Sequence, residues 1–163
     1  MSQREWAPII AALNAGDALD YDQSYWLMDQ VMSGELGDAR LASFLTAMAI
    51  KGATVTEIHG LADGMADHAT PVDLPSRALD IVGTGGDGYK TVNVSTMSAI
   101  VLAAMGIPLV KHGNRASTSQ SGSADVIEAL GVNLDVDTER LRSIFEEVGI
   151  AFLFANKMHP SMR

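Results

Sequence analysis

Cysteine is absent from the 163 residues, so the chain can form no disulfide, thiolate nucleophile or cysteine-ligated zinc site. Positive charge is scarce as well. Eleven lysines and arginines stand against twenty aspartates and glutamates, a formal net charge of −9. Such a surface repels nucleic acid and anionic lipid, so neither is expected as a partner. No basic n-region followed by an apolar h-region opens the chain, which argues against secretion. A charge-free stretch, 91–110, is long enough to raise the question of a membrane span. Its first half holds Asn93, Ser95, Thr96 and Ser98, and Gly106 and Pro108 break it, so it suits a helix start and a turn rather than a hydrocarbon core. Internal repeats and low-complexity tracts are missing too. What remains, 47% hydrophobic and 19% charged, is the profile of a globular protein, expected in the cytoplasm. The length allows one domain with a full core, or one small and one partial domain.

The first 66 residues read as four amphipathic helices. Trp6, Ile9, Ile10 and Leu13 lie at helical spacing, and Gly16 can end that helix. Asp20 and Gln23 can form a capping box ahead of Leu27, Met28, Val31 and Met32. Asp38 can cap a third helix with the face Leu41, Phe44, Leu45 and Met48. Thr54 and Glu57 form another capping box ahead of Ile58, Leu61 and Met65. These stripes are expected to be core or helix–helix contact. A linker, 67–77, carries Pro71 and Pro75.

From 78 onward strands and helices alternate: a buried strand at 78–82, a helix at 93–105, a strand at 107–110, helices at 123–130 and 137–148, and a strand at 150–155. This pattern predicts an α/β fold: a small helical domain, 1–66, followed by the first part of a larger α/β domain with a parallel sheet, 78–163. Ligands of such sheets bind at the carboxyl ends of the strands. Three strands make a poor parallel sheet, so the sequence reads as cut short.

Two glycine-rich segments fall at those strand ends. The first runs Gly83-Thr-Gly-Gly-Asp-Gly88 and leads to the polar helix start Asn93-Val-Ser-Thr96; the second runs Lys111-His-Gly-Asn-Arg115 to Gly122-Ser123. Glycine lets the backbone approach an anion, and loop and helix-start N–H groups point at phosphate oxygens. Neither standard nucleotide motif holds. The dinucleotide fingerprint wants an acidic residue about 20 positions on, where Lys111 and His112 stand instead. The Walker spacing is spoiled by Tyr89 ahead of Lys90. Asn93 and Ser95 taken alone read equally well as helix caps. The two segments together, with Lys111 and Arg115 in the second, favour a ligand carrying two phosphate groups, and Ser95 could offer Mg²⁺ a hard oxygen. His59, His68 and His159 have no companions at ligand spacing. The acidic residues between Asp135 and Glu147 read as a solvated helix face.

Asp80-Ile-Val-Gly-Thr-Gly-Gly-Asp-Gly, Asn93-Val-Ser-Thr, Lys111-His-Gly-Asn-Arg-Ala, Gly122-Ser-Ala-Asp-Val-Ile-Glu-Ala-Leu-Gly and Phe152-Leu-Phe-Ala with His159-Pro-Ser-Met closely resemble the signatures of the anthranilate phosphoribosyltransferase family. Pyrimidine nucleoside phosphorylases share the architecture but carry different second-loop residues. The resemblance implies a helical domain hinged to an α/β domain, a homodimer through the N-terminal helices, and Mg²⁺-dependent transfer of phosphoribose from phosphoribosyl pyrophosphate (PRPP) to anthranilate in tryptophan biosynthesis. It implies that Gly83, Gly86, Asp87, Thr91, Asn93, Val94, Ser95 and Thr96 hold pyrophosphate and ribose, with Ser95 a Mg²⁺ ligand. Lys111, His112, Gly113, Asn114, Arg115, Ala116, Ser117, Thr118 and Ser119, together with Ser123, would close over PRPP. Gly83, His112 and Asn114 would border anthranilate. The reaction needs positioning and stabilisation of the leaving group, so no protein nucleophile or general base is expected. Members of the family continue past this chain with an acidic pair for Mg²⁺, a substrate-binding arginine and the rest of the sheet, so the chain alone is expected to be inactive. A non-catalytic PRPP- or nucleotide-binding module, or half of a split protein, is the alternative reading.

Overall fold

The computed structural model describes residues 5–83, 92–116 and 121–160. They form two compact units, one comprising 5–69 with 159–160 and the other Thr70–Met158.

The first unit contains α1 (Trp6–Ala15), α2 (Tyr21–Met32), α3 (Asp38–Lys51) and α4 (Val55–Ala66). Its boundaries follow local chemistry. Gly16 ends α1 with φ 83°, in the left-handed region that favours glycine. Both expected capping boxes form: Asp20 accepts from Gln23 N and Thr54 accepts from Glu57 N, with the Gln23 and Glu57 side chains reaching back. The expected cap by Asp38 does not form. Gly37, at φ 75°, takes the cap position, and Asp38 is the first helical residue, where its charge meets the positive end of the helix dipole. Ile9, Leu13, Leu19, Leu27, Leu36, Phe44 and Ala47 form the core.

The buried face of α4 differs from expectation. Glu57, Gly60 and Gly64 are buried, while Ile58 is 55% exposed. The reason is the close approach of α2 and α4. A Cβ on Gly60 would stand 2.5 Å from Tyr21 O, and one on Gly64 would stand 2.8 Å from Tyr25 O. Leu45 of α3, also expected inside, is likewise exposed. Tyr21 and Tyr25 hydroxyls donate to Asp63 and Asp67 across the same helix pair, and His68 Nε2 lies 2.8 Å from an Asp29 oxygen.

Glu57 is fully buried and fully occupied. Oε1 accepts from Leu19 N at 2.9 Å. Oε2 accepts from Lys51 Nζ at 2.8 Å, Thr54 N at 2.7 Å and Thr54 Oγ1 at 2.9 Å. Burial pushes its carboxyl up, but the bonds from Lys51, Leu19 and Thr54 outweigh burial and bring it from 4.5 down to about 2. A folded-state value below the unfolded one means that this stabilisation is complete above about pH 4.5 and fades as pH falls towards 2. The helical unit should therefore lose about 3 kcal/mol across that window. Acid titration of Glu57→Gln should lack this component; equal acid sensitivity in both proteins would contradict the assignment.

The second unit contains α5 (Val94–Ala104), β1 (Leu109–Gly113), α6 (Ser123–Ala129), α7 (Thr138–Val148), β2 (Ile150–Phe154) and the short α8 (Ala155–Met158). β1 and β2 pair in parallel, Leu109 opposite Ile150 and Lys111 opposite Phe152. Phe152 and Phe154 pack on Ala124, Ile127 and Leu134 on one face. Val110, Ala151 and Leu153 pack with Leu141, Phe145 and Met158 on the other. The alternation follows from the period of two along a strand.

The strand expected at 78–82 shrinks to a single parallel bridge, Leu79 to Leu109, and it is not buried: Val82 is 62% exposed. The ladder stops because side chains take the next backbone positions. Asp80 Oδ1 accepts from His112 N, and Ile81 O accepts from Lys111 Nζ. β1 also begins and ends later than expected, so Lys111 and His112 are strand residues rather than loop residues. No helix among the described residues is long and apolar enough to cross a membrane.

Candidate active site

The site gathers around the start of α5. Asn93 is its N-cap, with Oδ1 accepting from Thr96 N at 3.0 Å and from Ser95 Oγ at 3.1 Å. Asn93 Nδ2 lies 3.5 Å from Ser121 O and from Ser123 Oγ, which brings the beginnings of α5 and α6 together. Gly113, at the end of β1, fits beneath: a Cβ there would stand 2.7 Å from Ser123 Cβ and 2.8 Å from the Phe152 ring.

Lys111 lies behind this helix start, with only 1% of its surface exposed. Its ammonium donates to Ile81 O at 2.7 Å and to Ser95 Oγ at 3.2 Å. Burial pushes the ammonium below the usual lysine range, and the Asp80 carboxylate pulls the other way. A positive charge therefore sits one hydrogen bond from the Ser95 hydroxyl without itself facing solvent. Next to it Thr96 is fully buried, and its Oγ1 has no hydrogen-bond partner among the described residues.

Ser95 fits a single Mg²⁺ ligand. Its hydroxyl donates once and accepts once, which leaves one lone pair for a hard cation. Mg²⁺ commonly takes one or two protein oxygens and fills its octahedron with substrate phosphates and water. Among the described residues, no three His, Asp or Glu side chains gather into a group that could hold a metal ion unaided.

The remaining candidates are distributed as follows. His112 lies on β1 opposite Leu153. Asn114 is exposed; its Oδ1 accepts from Arg115 N, and its backbone O accepts from Ala124 N. Gly83 is exposed, and Val94 opens α5. Arg115 is paired with Glu128. Gly86, Asp87, Thr91, Ser117, Thr118 and Ser119 lie outside the described residues. Sequence reasoning missed Asp80, Asp125 and Glu128. All three stand within the quoted family signatures with no role attached, and Asp125 left a local signal as well, an acidic residue three positions after Gly122 at a helix start.

The second unit and its glycine-rich segments match the α/β domain of a glycosyl transferase family over residues 75–163, and the helical bundle domain of the same family matches residues 7–69. The chain belongs to this glycosyl transferase family. Among curated relatives, the anthranilate phosphoribosyltransferase of an Arthrobacter species is 54% identical over 97% of this chain and 45% of its own length. That of Streptomyces griseus is 49% identical over 100% of this chain and 46% of its own. The crystal structure of the Thermus thermophilus anthranilate phosphoribosyltransferase superposes with a TM-score of 0.86 at 43% identity, covering 94% of this chain and 47% of that one. The Saccharomyces cerevisiae enzyme in complex with PRPP and Mg gives a TM-score of 0.86 at 30% identity, covering 99% of this chain and 49% of that one. The chain spans about half the length of the curated relatives it matches.

Proposed function

We propose that this chain carries the PRPP-binding part of an anthranilate phosphoribosyltransferase. In the reaction, the bond from ribose C1 to pyrophosphate breaks, a bond from C1 to the anthranilate amine forms, and the amine gives up a proton. The observation that carries the reading is the start of α5, where Asn93, Ser95 and the N-terminal N–H groups stand in front of the buried Lys111 ammonium. Negative charge grows on the departing pyrophosphate, and a fixed positive field there lowers the barrier because the dipoles need no reorganisation. Bound Mg²⁺ would neutralise part of the same charge. Asn93 and Ser95 orient the phosphates, and His112 and Asn114, with Gly83, border the acceptor. On this reading residues 67–77 link the helical bundle, 1–66, to the phosphate-binding domain, 78–163. The name of the yeast structural relative, a complex with PRPP and Mg, supports this choice of ligand. The test supplies the chain with the polypeptide that a relative carries beyond the aligned region and follows anthranilate fluorescence. Loss that requires both PRPP and Mg²⁺ supports transfer. Binding of PRPP without any transfer supports a non-catalytic module, and phosphorolysis of a pyrimidine nucleoside supports the phosphorylase reading.

The helical unit is further proposed to form a homodimer. Leu45, Ile50, Val55 and Ile58 of α3 and α4 are more than half exposed, which leaves an apolar surface on a small bundle. Sedimentation at micromolar concentration should show a dimer that Ile58→Glu weakens. A monomer at that concentration would remove the proposal.

A further inference from the structure

Residues 114–116 of the second glycine-rich segment, and 121–124 at its end, are braced by charged side chains of α6. Asp125 Oδ2 accepts from Ala116 N at 2.9 Å and from Gly122 N at 2.8 Å. Asn114 O accepts from Ala124 N at 3.1 Å, and a Cβ on Gly122 would stand 2.6 Å from Asn114 O. Nearly one turn beyond Asp125, Glu128 grips Arg115 with both oxygens, Nη1 to Oε2 at 2.5 Å and Nη2 to Oε1 at 2.8 Å. Arg115 Nη1 also lies 3.8 Å from Asp125 Oδ1, and the guanidinium carbon is 5.5 Å from the centroid of the Phe154 ring.

Charge suggests Arg115 as a phosphate ligand, but this geometry assigns it differently. Its two terminal nitrogens meet carboxylates in the planar, bidentate manner that lysine cannot reproduce. Together with Asp125 and Glu128 it forms a group of net negative charge, which is a poor anion receptor. To reach a phosphate, the guanidinium would have to leave two carboxylates and an aromatic face.

We propose that Arg115 is a positioning residue: with Glu128 and Asp125 it clasps residues 114–116 onto the start of α6 and so fixes the backbone N–H groups of this segment. The inference rests on the phosphate-site reading for its purpose but not for its geometry. Two measurements on the 163-residue chain test it: hydrogen exchange at the amides of Ala116, Gly122 and Ala124, and calorimetric titration with PRPP and Mg²⁺. Arg115→Ala, Arg115→Lys and Glu128→Gln should each speed exchange at those amides about fivefold and weaken PRPP several-fold. Combining Arg115→Ala with Glu128→Gln should add little, because both remove one interaction. Glu139→Gln, an exposed acid of α7, measures the effect of net charge alone. If Arg115 grips phosphate directly, Glu128→Gln frees it and PRPP binds more tightly than in Glu139→Gln, while Arg115→Lys keeps most of the affinity. That result, or unchanged exchange in Glu128→Gln, overturns the clasp. If the unaltered chain binds no PRPP, the phosphate-site reading fails and exchange alone decides the clasp.

Discussion

The 163-residue chain by itself should turn over anthranilate at least about 10³-fold more slowly than the same chain supplied with the polypeptide a relative carries beyond the aligned region. On the proposed reading Ser95 gives Mg²⁺ a neutral oxygen, and among the described residues no three His, Asp or Glu side chains gather into a group that could hold a metal ion. A cation bridging two phosphates commonly needs one or two carboxylates as well. The α/β unit is also short of cover. α5 leaves Val94, Met97, Ile100 and Val101 exposed, and Met105 beyond it is 71% exposed. The described sheet has two strands and one bridge. Parallel sheets are normally covered on both faces and extended by further strands. Fluorescence assays with fixed PRPP and Mg²⁺ compare the two preparations directly. Equal rates would show that these 163 residues already hold everything the chemistry needs.

In the complemented protein, Ser95→Ala should lower kcat/KM about 10²-fold, the order seen when a preorganised charge-stabilising group is removed. Its effect on stability should be about 1 kcal/mol and no more, because the capping bond of α5 belongs to Asn93, and the buried Lys111 ammonium that loses Ser95 Oγ keeps Ile81 O. Asn93→Ala should cost similar activity and in addition about 1 kcal/mol through the lost cap. The contrast separates function from folding. If Ser95→Ala loses stability and activity in proportion, the residue supports the helix and not the ligand. Unchanged kcat/KM with unchanged stability would remove it from the site.

Local signals in the sequence were legible because the residues that satisfy them are three or four positions apart. The boxes Asp20–Gln23 and Thr54–Glu57, the stop at Gly16 and the Asn93 cap are of this kind. The α/β unit with its parallel strands was legible from the alternation of apolar runs with amphipathic helices. Apart from the Asp38 cap, displaced by one residue to Gly37, what differed depends on distant partners. Ile58 loses its expected place inside because Gly60 and Gly64 let α2 approach, and nothing within α4 announces that neighbour. Lys111 reads as a loop cation. Its partners Ile81 and Ser95 are 30 and 16 residues away, and together they turn it into a buried support for the helix start. Arg115 also reads as a loop cation, and its pairing with Glu128, 13 residues on, is equally invisible in the local sequence. The part each cation near the glycine-rich segments plays depends on its tertiary pairing.

The central claim is that phosphate groups sit at the start of α5 beside the end of β1. Amide chemical shifts of the isotopically labelled 163-residue chain, recorded while PRPP is added with Mg²⁺, test it most directly. The account predicts saturable shifts concentrated at Asn93, Val94, Ser95 and Thr96 and at Gly113, Asn114 and Ser123, and predicts that Ser95→Ala weakens them. Shifts centred elsewhere, or none at millimolar PRPP, would contradict it.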